Sequence, residues 1–265
     1  MQRLSYEYRE SYTVSYTFRA GNRTLLFLHG YLQAEDVWYP FVNHIPKEYG
    51  ILMVNLPGHG GTSCFGNNYF SKFCLALNEL LLAHKVEKVH LIGHSMGGYL
   101  ALQFLRDFSS KAASLTLLHS TPLADTPERS RKRIREKTII EMGKIHLILS
   151  PHFENLFAPQ NRARLAEIAN QYRELALKVT PTAMCEALTS MSLRGSYVSD
   201  CLQAHKPILL LFGRYDELLT PERAHKCQIE VPNIEYHYME ESGHTCFVEE
   251  PEKTLALLLC HLNKT

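Results

Sequence analysis

Lysine and arginine number 28 against 27 aspartates and glutamates in a chain of 265 residues, so the formal net charge is +1. A nucleic-acid binder working through bulk charge needs a strong basic excess, and that class is excluded. Hydrophobic residues at 45% and charged residues at 21% exclude a disordered chain and leave one large domain, with or without an insertion.

In chain order, the N-terminal MQRLSYEYRESYTV is polar and aromatic and lacks the apolar run of a signal peptide. Tyr12–Phe18 reads as an edge strand, rich in β-branched and aromatic residues. Thr24–Leu28, Ile51–Leu56, Val89–Gly93, Ser114–Leu118 and Pro207–Gly213 are nearly unbroken apolar runs, the pattern of strands covered on both faces; Ile234–Met239 is a sixth candidate. Between them, Lys72–His84 has helical spacing with Ser71 as its N-cap, Met96–Phe108 carries Leu100, Phe104 and Leu105 on one face, and Pro251 opens a closing helix. Strand-helix alternation of this kind predicts an α/β fold with a mostly parallel central sheet flanked by helices. From Pro122 to Asp200 no buried strand is predicted and the sequence is polar and helical, too long for one crossover. It reads as an inserted helical cap.

The strongest local signal is Gly93-His94-Ser95-Met96-Gly97, between an apolar strand and a helix. A sharp strand-to-helix turn lifts the serine hydroxyl clear of the backbone, and glycines on either side let the chain pass without collision. At a helix N-terminus, backbone N–H groups are available to a developing oxyanion. A serine nucleophile needs a base and the base needs an orienting acid, which follow such an elbow in the order acid, then histidine. Asp216 in GRYDELLTP and His244 in ESGHTCFVEEP satisfy that order, each after a late strand. Glu217 and Asp125 are positional rivals for the acid. Among 14 histidines, His237 falls inside the last strand and His261 in the tail beyond the last helix, which leaves His244 as the candidate in a glycine-preceded loop.

With GHSMGG, the segments LLFLHG, LPGHGGTS, GRYD and SGHTCFVEEPE occur in an order that resembles the α/β-hydrolase family over nearly the whole chain. The resemblance implies the α/β-hydrolase fold, with a core of residues 1–121 and 201–265 and the cap over 122–200. It implies that Ser95, Asp216 and His244 form a catalytic triad, with the backbone N–H groups of Tyr31 and Met96 as the oxyanion hole. His29, His59 and Asn55 match structural positions of the family. The function implied is a serine hydrolase acting through an acyl-enzyme on a small-molecule carboxylic ester. Thioester or carbon–carbon hydrolysis, a lyase like that of the menaquinone pathway, and a ligand receptor use the same fold.

No histidine, cysteine or carboxylate cluster has metal spacing and no phosphate-binding glycine loop occurs, so neither a metal nor a cofactor is expected. No run approaches the ~18 apolar residues of a membrane span. Seven cysteines without a CxxC read as reduced thiols, and the expected location is cytoplasmic. Between Arg129 and Lys137 there are six basic residues and one acid. At 100° per residue they spread around a helix, so the expectation is a solvated helix face. The other readings are a basic approach to a carboxylated or phosphorylated substrate and a nucleic-acid patch.

Overall fold

The computed structural model describes residues 1–9, 11–232 and 234–264. Eight strands form one sheet: β1 (Arg3–Tyr8), β2 (Tyr12–Arg19), β3 (Arg23–Leu28), β4 (Tyr49–Val54), β5 (Val89–His94), β6 (Ala112–Leu118), β7 (Ile208–Gly213) and β8 (Glu235–Met239). Their order is β1-β2-β4-β3-β5-β6-β7-β8. β1 and β2 are antiparallel to their neighbours, while β4 through β8 pair in parallel. Every residue of β4, β5 and β7 is buried, as their continuous apolar sequences require.

The helices are α1 (Tyr39–Val42), α2 (Phe70–Ala83), α3 (Met96–Asp107), α4 (Pro127–Glu141), α5 (His146–Glu154), α6 (Ala166–Ala176), α7 (Pro181–Leu193), α8 (Val198–Gln203), α9 (Pro221–Glu230), α10 (Cys246–Glu249) and α11 (Pro251–Leu262). Helices α4 to α8 all lie between β6 and β7, and no strand interrupts them among the described residues. Thr126 and Thr180 cap α4 and α7 by accepting from the amides of Arg129 and Ala183, each followed by a proline at the first helical position. No helix among the described residues is long and apolar enough to cross a membrane.

Four expectations are corrected. His261 lies within α11 and not beyond it. β1 was not foreseen, because its side chains are mostly exposed and give no apolar run. With β1 outside it, β2 is an inner strand, not an edge. Ser71 does not cap α2, which starts at Phe70 because Tyr69 and Phe70 are buried and the Tyr69 amide donates to Ser190 Oγ at 3.2 Å.

The parallel strands all point their carboxyl ends the same way, and β3 lies between β4 and β5. The chain thus reverses its winding direction beside β3 and β5, where an open α/β sheet leaves a crevice for ligands.

Candidate active site

Ser95 follows β5 and has φ 51° and ψ −114°, a left-handed conformation unfavourable for a residue with a Cβ. Strain of this kind costs on the order of 1–3 kcal/mol and persists only when its surroundings impose it. Here the Ser95 N–H donates to the Leu118 carbonyl at 3.0 Å, and the Ser120 hydroxyl donates to the Ser95 carbonyl at 2.8 Å. A Cβ on Gly97 would strike the Leu28 carbonyl oxygen, and one on Gly93 would strike Gly98. The sequence motif therefore sets both the turn and its close approach to β3.

Asp216 follows β7, and its buried carboxylate is surrounded by donors. Oδ1 accepts from the amides of Leu218 and Leu219 at 2.8 and 2.7 Å. Oδ2 lies 2.7 Å from His244 Nδ1 and 3.1 Å from His119 Nδ1. Burial alone would raise the carboxyl pKa, but attraction to His244 and hydrogen bonds from both rings hold it well below the usual carboxylate range. His244 is buried in the loop after β8, and its Nε2 has no hydrogen-bond partner among the described residues. Its ring and Ser95 line one cavity. Ser95, Asp216 and His244, far apart in sequence, thus converge at the carboxyl ends of β5, β7 and β8. Asp125 lines the same cavity, but its carboxylate is engaged by arginines, 2.6 Å from Arg133 Nε and 2.7 Å from Arg194 Nη1.

His119, directly after β6, was not singled out by the sequence. Its Nε2 accepts the Cys246 N–H at 2.9 Å, so its proton sits on Nδ1, facing Asp216. The available signal was a polar residue at the carboxyl end of a buried strand, in LLHST.

The loop after β3 carries Tyr31. Its neighbours' amides are engaged, Gly30 N–H by Gln33 Oε1 at 2.8 Å and Leu32 N–H by His59 Nε2 at 3.3 Å. The Tyr31 N–H between them has no partner among the described residues. Met96 opens α3, where the first amides of a helix have no intrahelical acceptor. His94 holds the surrounding loops together: Nε2 lies 2.7 Å from the His244 carbonyl oxygen and Nδ1 lies 3.0 Å from Gln33 Oε1. His29 and His59 serve backbone groups, with His29 Nε2 accepting from Leu56 N–H at 3.0 Å and His59 Nδ1 lying 2.8 Å from the Pro57 carbonyl. Asn55 accepts the Glu35 amide at 2.8 Å.

A second carboxylate, Glu249, binds the His244 loop to the helical segment before β7. Its Oε1 accepts from the Gly243 amide at 2.9 Å and the Thr245 hydroxyl at 3.1 Å, and its Oε2 from the Ala158 amide at 2.7 Å and Asn161 Nδ2 at 3.0 Å. The His244 N–H donates to the Leu156 carbonyl at 2.7 Å. Sequence reading missed this connection because its partners lie some ninety positions apart.

The cavity above Ser95 has a volume of about 750 Å³. Arg129, Lys132, Arg133 and Glu136, spaced by turns of α4, line a smaller pocket of about 50 Å³ beside it together with Ser95, Tyr31, Tyr99 and His152. This corrects the expectation that the basic run is a solvated face. Charges spread around a helix are all solvated only if the helix stands clear, whereas α4 lies along the cavity wall. Arg131, Lys132 and Arg135 remain exposed, but Arg133 is buried and Arg129 is half-buried. Burial, then repulsion by Arg133, depresses the Arg129 guanidinium below its ordinary range.

Nitrogens of His119 and His244 and an oxygen of Asp216 lie within 4.8 Å of one another, close enough to suggest metal ligands. Their bonding does not suit a metal. His119 Nε2 already accepts an N–H, so a cation on Nδ1 would require an imidazolate. The trio suits proton placement instead.

The sequence profile of the alpha/beta hydrolase fold matches residues 23–251. A monoacylglycerol lipase, ABHD6 of Mus musculus, is 26% identical over 97% of this chain and 81% of its own. A Bacillus subtilis protein provisionally named 2-succinyl-6-hydroxy-2,4-cyclohexadiene-1-carboxylate synthase is 26% identical over 87% of this chain and 86% of its own. A thermophilic esterase from Thermogutta terrifontis superposes with a TM-score of 0.90 at 20% identity, covering 100% of this chain and 99% of the other. With the profile spanning most of the chain and the sheet order and elbow already described, the chain belongs to the alpha/beta hydrolase fold family and is a hydrolase.

Proposed function

We propose that the protein is a serine esterase acting on a small-molecule carboxylic ester, with Ser95 as nucleophile, His244 as base and Asp216 as the orienting acid. The observation that carries this reading is the left-handed Ser95 elbow opening on the same cavity as His244, whose other nitrogen is bound to a buried carboxylate. In the proposed reaction, His244 Nε2 takes the hydroxyl proton as Ser95 attacks the ester carbonyl. Asp216 fixes the proton on Nδ1 and stabilises the imidazolium. The Tyr31 and Met96 amides receive the developing oxyanion. The proton returns to the leaving alcohol, and water, activated by the same histidine, releases the acid. The segment α4 to α8 serves as the cap. A volume of about 750 Å³ lies within the range of roughly 300–1,000 Å³ typical for small-molecule sites.

The names of two relatives, a monoacylglycerol lipase and an esterase, agree with this reading. The test is turnover of an ester, thioester and amide panel by wild type and Ser95→Ala. Ester cleavage lost in Ser95→Ala is the expected result. Activity confined to thioesters, or unaffected by the substitution, overturns the assignment.

A further inference from the structure

Arg133 lines the smaller pocket beside Ser95 as part of a buried ion cluster. Its Nε pairs with Asp125 at 2.6 Å, Arg194 Nη1 pairs with the other oxygen of Asp125 at 2.7 Å, and the Arg194 guanidinium stacks on Tyr99 at 3.6 Å. Two guanidiniums share one carboxylate, so the cluster holds an excess of one positive charge away from water. A buried charge left without a counter-ion is expensive. Arg133 Nη1 faces Met191 Sδ at 3.2 Å, a weak acceptor, and Nη2 is buried with no hydrogen-bond partner among the described residues.

Two further polar atoms share this condition at the same wall. The Tyr31 phenol oxygen and His152 Nε2 are buried and lack partners among the described residues, and the two rings meet edge to face at 6.0 Å. Burial keeps the Tyr31 phenol protonated far above its ordinary range. Burial, reinforced by His244, Arg129 and Lys132, brings His152 down to about 3. Tyr31 is therefore a neutral donor and His152 a neutral ring that can place a proton on Nε2. Unsatisfied buried polar groups are rare in folded proteins, and several beside one nucleophile indicate what is meant to meet them. Here they are a fixed cation and two neutral groups able to donate, the complement of an anion with two oxygens. Glu136 lines the same pocket but is outnumbered by Arg129, Lys132 and Arg133, and the cation excess that remains matches a carboxylate.

We infer that the pocket bounded by Arg133, Tyr31 and His152 binds a free carboxylate of the substrate, so that the preferred ester carries an acid group besides the scissile bond. The inference rests on the esterase reading of this cavity and names its substrate class. Exposed Arg131, Lys132 and Arg135 add a screened field at the entrance, while Arg133 makes the contact.

The test compares kcat/KM for matched esters: 4-nitrophenyl hydrogen glutarate against 4-nitrophenyl valerate, with the acid on the acyl side, and 3-(butyryloxy)propanoate against propyl butyrate, with the acid on the alcohol side. Wild type is expected to favour the acid of at least one pair by about 10-fold or more, the size of one charge-assisted hydrogen bond. Arg133→Gln should collapse that ratio, and the ratio should persist in 0.5 M NaCl because a buried contact is little screened. Equal rates within both pairs, or a preference that disappears with salt, overturn the inference. Glutarate binding to Ser95→Ala, measured by calorimetry against neutral glutaramide, decides the subsite without catalysis and without disturbing Arg133. If Ser95 reacts with a fluorophosphonate but glutarate binds no better than glutaramide, the carboxylate subsite fails alone. If Ser95 does not react, the esterase reading fails, and the calorimetric comparison still decides the subsite.

Discussion

His119 and His244 direct their Nδ1 atoms at the same oxygen of Asp216, at 3.1 and 2.7 Å. The carboxylate is thus shared between the ring proposed to carry the catalytic proton and a ring anchored to the Cys246 amide. Sharing draws charge away from the Asp216–His244 bond and fixes the carboxylate plane. Replacing His119 by Phe removes one of the two ring contacts to Asp216 Oδ2 and should lower kcat by about 10-fold, while His119→Gln, which can still donate to that oxygen, should recover much of it. An equal loss in both variants would assign His119 a packing role only.

Asp216 and Asp125 should fail in different ways. Asp216→Asn favours the wrong tautomer of His244, and the expected loss is up to ~10⁴-fold in kcat for a folded protein. Asp125→Asn leaves Arg133 and Arg194 buried without a counter-ion, which typically costs about 3–5 kcal/mol of stability. Thermal unfolding and rates measured on both variants separate the roles. An Asp125→Asn protein with unchanged Tm contradicts the ion cluster.

Much of this site was legible because its chemistry is local. A five-residue elbow specifies Ser95 through the collisions its glycines avoid, and Asp216 and His244 each stand in a loop just after a strand. What sequence missed is relational. His119 has no motif of its own and matters only because β6 lies beside β7. Glu249 joins segments ninety positions apart. The basic run was misread because helical spacing describes where charges point around α4, not what the helix lies against. β1 escaped because an exposed edge strand need not be apolar.

Acid should weaken the fold before the carboxylates titrate. Burial, then repulsion from Arg23 and His261, lowers His90 to about 4, and burial lowers His59 to about 4. Between pH 6.5 and 4 the unfolded chain takes up these protons and the folded chain does not, so stability falls as pH falls. Each group contributes roughly 3 kcal/mol across that window. His90→Gln should flatten the decline in denaturant-unfolding free energy from pH 7 to 4.5. An identical slope in the variant would contradict the buried neutral imidazole.

Glu249→Gln replaces an acceptor facing N–H and O–H donors with an amide that cannot accept at both ends. It should reduce kcat and the protection of the Gly243–Thr245 amides from hydrogen exchange, because the His244 loop loses its tie to the segment around Ala158. Unchanged protection there would show that the His94 and Leu156 contacts suffice.

The central claim is that Ser95 is an activated nucleophile. A fluorophosphonate incubated with wild-type protein should add one phosphonyl group by intact mass, mapped to the peptide containing Ser95, and Ser95→Ala should add none. Labelling that persists in Ser95→Ala, or a wild-type protein that stays unlabelled, contradicts the account.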